Sequence, residues 1–318
     1  MFFFLFSDYD MQRLDEFRIF YNHTIHPELV RLERRRRRLL RLLLFSALLI
    51  IAILVIELYV HILSLTLFLM IPIGFYVMYL LYEVRKFKST FKPNIVNLIL
   101  DFIDDGVNYG TLRYSPTDFI PKRTFMASRI FGSSAPQYSG EDYISGKLGE
   151  LDFELCELNV REFSKVRDRL NYVFRGIFLH STFSSPLRGS ILILPREFQQ
   201  YLTRTIKEFV RKGGDLVEDD IYDELFDDYF LTYATEDANL SGLLSEDMQR
   251  AIAEYRMVSG KQLYISFIGQ EIYVGITEPK DILEPYIFQS NISFDLVKDF
   301  FEDIAMLLSI VADFDKNH

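Results

Sequence analysis

The chain is poor in the residues that build catalytic and metal sites. Cys156 is its only cysteine, which excludes an intramolecular disulfide and a cysteine-rich zinc site and suits a reducing compartment. Its five histidines form no HExxH or similar metal-binding spacing, and the sequence contains no GxSxG motif. His180, near the end of a predicted strand, is interpreted as structural. We therefore predict no cofactor, no metal site and no Ser/His or Cys/His hydrolase.

Lysine and arginine are scarce in the C-terminal third. Residues 213–318 carry six Lys/Arg against 23 Asp/Glu, a net charge of −17, whereas residues 1–41 carry nine against six, a net charge of +3. Anionic lipid headgroups attract a basic segment and repel an acidic one, and nucleic acid does the same. This asymmetry predicts a lipid contact near the N-terminus and no nucleic-acid partner.

Residues 39–81 form the longest apolar run, which only Arg41, Glu57 and His61 interrupt with ionisable side chains. As one helix this run would be about 65 Å long, roughly twice the hydrocarbon core of a bilayer. It therefore predicts a transmembrane helical hairpin at 42–82, with spans at about 42–58 and 62–82. Glu57, at the turn, can reach the headgroups, although an acid inside a membrane is also a functional candidate.

Basic residues flank both predicted spans, and the turn between the spans has none. By the positive-inside rule, this pattern predicts that both termini are cytoplasmic. We interpret the arginine cluster as a topology signal that contacts anionic headgroups, the alternative being a lipid-specific site or a partner-binding helix. The membrane-flanking basic residues are Arg34, Arg35, Arg36, Arg37, Arg38, Arg41, Arg85, Lys86 and Lys88.

Hydrophobic periodicity divides the chain into four parts. An amphipathic and basic helical segment covers 1–41, followed by the hairpin at 42–82. A helical stalk and linker cover 83–139, with a helix at 93–107 and an irregular, proline-containing stretch after it. Residues 140–318 are predicted to form the cytoplasmic domain.

In the domain at 140–318, stretches with the two-residue hydrophobic period of strands and stretches with the helical period follow one another. Alternation predicts strands from 151 and at 172–183, 190–195 and 229–235, and a hairpin of 263–268 with 272–277 around Gly269-Gln270. Helical spacing predicts helices at 196–211, 243–258 with Ser245 as the N-cap, and 293–314. Helices do not regularly separate the strands, so we predict an α+β cytoplasmic domain attached to a two-helix transmembrane hairpin.

The stretch "GEDYISGKLGE" at 140–150 is close in spelling to a phosphate-binding loop. Five residues, not four, separate Gly140 from Gly146, and Leu148 stands where the magnesium-binding hydroxyl is required. The segment is also preceded by a linker-like run and followed by a strand pattern. It therefore predicts a β-hairpin that turns at 147–149.

Several segments resemble a known bacterial family of unknown function, DUF3137. They are "YSGEDYISGKLGELDFELCEL", "VFRGIFLHSTF" and "GSILILP", together with "FRIFYNHTIHPELVRLERRRR" before the hairpin and "YFLTYATEDANLSGLLSEDM" and "LYISFIGQEIYVGIT" later in the chain. The resemblance implies a membrane hairpin with a cytoplasmic domain in the bacterial inner membrane. It supplies no catalytic motif.

Two charged features remain. The stretch 215–228 contains eight acids and lacks the order of a calcium loop, so we interpret it as a packed element with a solvated acidic face, the alternative being a docking surface. Glu157 and Arg175 lie in phase with apolar residues of neighbouring strands. Because a lone buried carboxylate is costly, we predict a structural ion pair between them.

No pattern in the sequence specifies a reaction. The sequence therefore predicts a non-enzymatic, membrane-anchored cytoplasmic protein-interaction, scaffold or regulatory module, whose partners are the bilayer and an unidentified protein such as another membrane protein. The alternative is a membrane-tethered ligand or lipid sensor with a pocket in the α+β domain. A membrane-bound enzyme is a third class. A flat acidic or apolar patch would favour the interaction module, and an apolar pocket would favour the sensor.

Overall fold

The computed structural model describes residues 8–60, 63–107, 112–149, 151–164, 169–183, 189–197, 200–217, 221–238 and 244–317. Its chain contacts divide into two compact units. The helical unit consists of Arg13–Phe102 and Leu283–Lys298. The sheet unit consists mainly of Ile103–Ile282 and the residues from Asp299 onward.

Long helices dominate the helical unit. They are α1 (Asp8–Phe20), α2 (His26–Val60) and α3 (Leu63–Val107). A π-helical turn, Tyr21–Ile25, joins α1 to α2, and the flanking residues Phe20 and His26 are both right-handed helical, so the helix is continuous. Pro27 predicts that the helix breaks or restarts there, because proline has no N–H for the carbonyl one turn earlier. The widened π-helical turn directly before it accommodates that loss, and α2 begins at His26. The predicted turn at 57–61 begins inside α2, and residues 61–62 lie outside the described residues.

Apolar side chains of α2 and α3 fall into a packed part and an exposed part. Leu32, Phe87 and Ile95 are among the buried residues of the packed part. Between residues 44 and 82 most large apolar side chains are exposed, with Phe68 at 73%. The most apolar 18-residue windows of the two helices reach mean hydropathies of 3.0 and 2.0. Both helices are therefore candidate membrane spans by length and composition.

Within the described residues, the sheet unit contains a nine-stranded antiparallel sheet. The order of the strands across the sheet is β1-β2-β3-β4-β9-β8-β5-β7-β6. The strands are β1 (Arg113–Ser115), β2 (Gln137–Leu148), β3 (Leu151–Ser164), β4 (Arg169–Thr182), β5 (Ser190–Pro195), β6 (Gly214–Leu216), β7 (Phe230–Thr235), β8 (Leu263–Ile268) and β9 (Glu271–Thr277). An antiparallel sheet accompanied by helices confirms the α+β prediction.

Five further helices are found in the described part of the chain. They are α4 (Lys122–Ala127), α5 (Gln200–Arg211), α6 (Glu224–Tyr229), α7 (Glu246–Ser259) and α8 (Phe294–Asn317). The start of α7 is the predicted one, since the Ser245 hydroxyl accepts a hydrogen bond from the Met248 N–H at 3.1 Å. Residues 196–197 precede α5 as a bend, so that helix begins later than predicted.

The glycine-lysine stretch forms a β-hairpin. Strands β2 and β3 pair in antiparallel register, with Leu148 opposite Leu151. Gly149, in the connection, has φ +60°, a left-handed conformation that glycine adopts at little cost. The β-hairpin is confirmed and the stretch is not a phosphate-binding loop, but the turn lies later than the predicted 147–149, because Lys147 and Leu148 still pair with Asp152 and Leu151.

An aromatic-rich core lies against one face of the sheet. It includes Phe125, Phe131, Phe174 and Tyr264, and the rings of Phe125 and Phe131 stack with centroids 5.4 Å apart. The first two belong to the stretch in which prolines predict a linker. The structure places β1 and α4 there instead, because buried apolar side chains tie this stretch to the sheet. Cys156 of β3 is also fully buried in this core.

Candidate functional site

The acidic stretch lies at one edge of the sheet. β6 is the edge strand, and Asp223 caps the N-terminus of α6 by accepting a hydrogen bond from the Phe226 N–H at 2.9 Å. The other Asp223 carboxylate oxygen lies 3.0 Å from Nε of Arg250 on α7. Asp223 and Phe226 are both buried. This part of the stretch is therefore a packed element, as its interleaved apolar residues predict.

Next to this capped turn is an open cleft of about 620 Å³. Glu224, Asp227 and Asp228 expose their carboxylates on its wall. Asp227 pairs with Nη2 of Arg196 at 2.7 Å, and the exposed ring of Tyr222 supplies apolar surface. The cleft is lined by Arg196, Leu216, Val217, Ile221, Tyr222, Asp223, Glu224, Asp227, Asp228, Leu231 and Thr232.

The chemistry of this cleft suits a basic ligand. Carboxylates clustered on a concave wall attract cations and exclude anions, and nearby apolar groups can cover the stem of a bound lysine or arginine. The docking-surface alternative for 215–228 therefore has a physical site in the sheet unit. Residues 218–220, which add three acids to the stretch, lie outside the described residues.

A second polar group crosses three strands around His180. Glu154 on β3, His180 on β4 and Tyr273 on β9 stand opposite one another in the sheet register. His180 Nδ1 lies 2.9 Å from Glu154 Oε1, and its Nε2 lies 3.8 Å from Glu271 Oε1. The imidazole stacks on the Tyr273 ring with centroids 5.0 Å apart. An imidazole between two carboxylates can hold or pass a proton.

The tyrosines around His180 have perturbed acidities. Burial, reinforced by the carboxylate of Glu154, raises the pKa of Tyr143 to about 12. Burial acts to raise the pKa of Glu154 as well, but hydrogen bonds from His180 and Tyr143 outweigh it and lower that pKa. Tyr143 donates to Glu154 Oε2 at 2.7 Å, so the phenol stays protonated and the carboxylate charged. The sequence does not reveal this group, because only the strand register brings 154, 180 and 271 together.

Three carboxylates meet at the irregularity in β2. Glu141, Asp142 and Glu157 each place one oxygen within 4.8 Å of the others. The register between β2 and β3 shifts between Glu141 and Ile144, and the Tyr114 hydroxyl donates to Asp142 Oδ1 at 2.5 Å. Carboxylate oxygens are the ligands that calcium and magnesium prefer. Acidic groups of this kind are also common without an ion, so we assign no metal to the cluster.

Comparison with known proteins matches the C-terminal part of the chain, which includes the acidic cleft and His180. The family model described as "Protein of unknown function (DUF3137)" matches residues 172–316. This match confirms the resemblance to DUF3137 over residues 172–316, which we call the DUF3137 segment. A comparison with curated proteins finds no match. Among solved structures, the mycobacterial trehalose monomycolate transport factor A, TtfA, is similar over 63% of this chain and 88% of its own, with 8% identity and a TM-score of 0.28. That score is too low to establish a common fold.

The DUF3137 segment begins in β4 and includes Arg175. Its predicted partner was Glu157, but the register places Asn159 opposite Arg175, so Glu157 is two residues away on the diagonal. Arg175 forms an ion pair with Asp281 and donates from Nη1 to the Pro279 carbonyl at 2.8 Å, while Glu157 is buried, as its phase in the strand predicts. Burial acts to lower the pKa of Arg175, but Asp281, with a smaller contribution from Glu157, raises it.

A buried ionic network lies deeper in the DUF3137 segment. Nζ of Lys261 lies 2.7 Å from Asp303 Oδ2 and 2.8 Å from Glu278 Oε2, and the Tyr255 hydroxyl donates to Asp303 Oδ1 at 2.5 Å. These residues belong to α7, α8 and the segments that flank the β8–β9 hairpin. The network therefore joins three parts of the sheet unit whose sequence separations hide their proximity.

Asp303 makes stability depend on pH. Burial raises its pKa to about 6, against the opposing effect of Lys261. A carboxyl with a raised pKa contributes stability that is fully present below its unfolded pKa of about 4 and is lost as the pH rises through 6. Between pH 4 and pH 7, we expect the free energy of unfolding of the wild-type protein to fall by about 2 kcal/mol more than that of Asp303→Asn. Denaturant unfolding of both full-length proteins in detergent measures this, and a difference independent of pH contradicts it.

The basic residues of the helical unit, outside the DUF3137 segment, divide into two groups. Arg36 is buried at 6% exposure, and its Nε and Nη2 donate to Glu33 at 2.8 and 2.6 Å. Contrary to the prediction, it is therefore not one of the headgroup-facing residues, because packing turns its face of α2 inward. Arg35 links α2 to α3 through Glu83 at 3.1 Å, and Arg37 pairs with Glu33 at 2.9 Å. The exposed members of the predicted collar are Arg34, Arg37, Arg38, Arg41, Arg85, Lys86 and Lys88.

Proposed function

We propose that this chain is a membrane-anchored protein-interaction module of the bacterial inner membrane. In this proposal α2 and α3 cross the bilayer at about 42–58 and 62–82, and both termini are cytoplasmic. The sheet unit binds a partner protein through a basic segment of that partner. The single observation that carries the partner proposal is the open acidic cleft at the edge of the sheet.

Exposure and charge along the two helices support the anchoring. The side chains between 44 and 82 would leave an unusually large apolar surface in water if no bilayer covered them. Exposed arginines and lysines stand directly beyond that surface on both helices, where anionic headgroups would meet them. Glu57, near the predicted turn, accepts a hydrogen bond from Thr66 of α3. This contact supports a structural role for Glu57, because a polar partner lowers the cost of an acid at the membrane.

The lining of the cleft favours a protein partner over a small apolar ligand. Ligand pockets are mostly enclosed and apolar with few polar groups, whereas this cleft is open and exposes three carboxylates. Complementary charge on a partner would speed association and set its orientation.

Reporter fusions test the anchoring and the topology. We expect a periplasm-specific alkaline phosphatase to be active when fused at His61 and inactive when fused at His318, because the turn crosses the membrane and the C-terminus does not. A fluorescent protein that folds only in the cytoplasm should give the opposite pattern. Periplasmic activity at His318 would contradict the proposed orientation.

Charge removal in the cleft tests the partner. We expect Glu224→Gln/Asp228→Asn to lower recovery of the co-purifying protein from native membranes about tenfold, because each lost carboxylate weakens attraction to a basic segment. Glu236→Gln/Asp237→Asn is the matched control, since it removes two exposed acids of the same unit that do not line the cleft. Equal recovery with both double variants would sink the proposal.

A further inference from the structure

A short loop before α8 is fastened to α2 and α3 within the helical unit. We call residues 284–291 the tethered loop. Arg36 of α2 donates from Nη1 to the carbonyl of Ile287, and the Asn291 N–H donates to Glu33 Oε2 at 3.5 Å. At the start of the loop, Nζ of Lys92 on α3 lies 3.6 Å from Glu284 Oε1.

The tethered loop is also closed on itself. The side chain of Asn291 bonds the backbone of Tyr286 in both directions, accepting from its N–H at 2.7 Å and donating to its carbonyl at 2.9 Å. Residues 287–290 therefore form a tip between two fixed points. Such a closed loop loses less conformational entropy when its tip is ordered against a surface than a free loop does.

Helix rise gives the depth of each fastening point below the proposed membrane. At 1.5 Å per residue, Arg36 lies about 9 Å before the span that starts at 42, and Glu33 about 14 Å before it. Lys92 lies about 15 Å beyond the span that ends at 82. All three fastening points therefore lie on turns of α2 and α3 within about 15 Å of the proposed spans, next to the exposed basic residues.

The tip carries aromatic side chains that the protein leaves uncovered. Phe288 is 79% exposed and Tyr286 is 50% exposed, whereas Ile287 is buried against the unit. Aromatic side chains are favoured at the level of lipid headgroups, and exposed Arg34, Arg38 and Arg41 occupy the neighbouring turns of α2. Apolar and cationic groups at one level match the headgroup–acyl boundary of an anionic bilayer.

We propose that the tethered loop is a membrane-contact site, in which Phe288 inserts into the headgroup–acyl boundary of the bilayer that α2 and α3 cross. Arg36 is its positioning residue, since it holds the Ile287 carbonyl next to the tip. The inserted ring adds a surface contact to the two spans and fixes the residues directly before α8 at the membrane. This proposal rests on the proposed anchoring. It adds a third membrane contact, which is far in sequence from the two spans.

Single-tryptophan fluorescence tests this site, since the sequence contains no tryptophan. Phe288→Trp reports on the loop, Phe68→Trp on a span, and Ile19→Trp on an exposed position roughly 35 Å before the first span along the continuous helix. Each full-length variant is reconstituted into phosphatidylcholine–phosphatidylglycerol vesicles whose acyl chains are brominated at shallow or deep carbons. We expect shallow bromines to quench about half or more of the Phe288→Trp emission and deep bromines to quench Phe68→Trp, with Ile19→Trp little affected.

The outcomes of this experiment distinguish failure of the loop proposal from failure of the anchoring proposal. Quenching of Phe68→Trp but not of Phe288→Trp would overturn the loop site and leave the anchor standing. Loss of quenching at both positions would overturn both. An unquenched Phe288→Trp that is also shielded from aqueous iodide would assign the loop to a protein surface and overturn the lipid assignment. Adding Arg36→Met to Phe288→Trp should reduce the shallow quenching, whereas adding Arg31→Gln, which changes an exposed arginine of α2 that pairs with Glu28, should leave most of it. Equal effects would contradict the positioning role.

Discussion

Replacing Lys261 with methionine is expected to lower the unfolding free energy of the sheet unit by about 3–5 kcal/mol. Lys261 is the cation between Asp303 and Glu278, and the Asp303 side chain is 3% exposed. Methionine fills a similar volume but leaves the buried carboxylates without their counter-charge. Thermal unfolding of the full-length protein in detergent should show a midpoint lower by roughly 10 °C.

Two companion variants identify the cause of that loss. Lys280→Met removes an exposed lysine of the same unit and should change the midpoint by no more than about 1 °C. Adding Asp303→Asn to Lys261→Met should restore part of the stability, because it removes the stranded charge. A Lys261→Met protein as stable as Lys280→Met would show that the network contributes nothing.

Gly176→Ala is expected to destabilise the sheet unit by about 3 kcal/mol or more. Gly176 lies in β4 opposite Thr277 of β9, at φ +150°. A Cβ there would stand 1.9 Å from the Ile276 carbonyl oxygen and 2.7 Å from the Glu278 nitrogen, both backbone atoms. Because the β4–β9 pairing joins the two halves of the sheet, pushing these strands apart disrupts the centre of the domain.

Gly269→Ala is the matched control for this prediction. Gly269 also has a positive φ, +64°, but a Cβ added there would meet no atom within 4 Å beyond its chain neighbours. Its substitution should cost only the left-handed backbone penalty, about 1 kcal/mol. Equal losses of thermal midpoint in the two variants would show that backbone conformation, and not the approach of β9, explains the requirement for Gly176.

Local signals in the sequence predict much of the fold. Alternation predicts the bounds of β5 and β8, and Ser245 predicts the start of α7, because these features depend on neighbours within a few residues. The long apolar run likewise predicts both long helices. None of these predictions requires knowledge of which segments meet in space.

Features that depend on tertiary packing escape the sequence. Arg36 has the same sequence context as its exposed neighbours, and only the contact with Ile287 distinguishes it. Arg175 finds Asp281 in a distant loop, and His180 finds Glu154 and Glu271 through strand register. The prolines before β2 hide α4 and the segment after it, whose Phe125 and Phe131 are buried in the core.

Photo-crosslinking from the acidic cleft tests the central claim most directly. A photoreactive phenylalanine replaces Tyr222, which is 52% exposed in the cleft, and a control protein carries it at Val258 on the exposed surface of α7. On illumination of native membranes that contain the full-length protein, we predict one discrete protein adduct from position 222. The adduct should be absent from position 258, lost with Glu224→Gln/Asp228→Asn and retained with Glu236→Gln/Asp237→Asn. No adduct from position 222, or one that survives neutralisation of the cleft, would contradict a membrane-anchored module that binds a basic partner.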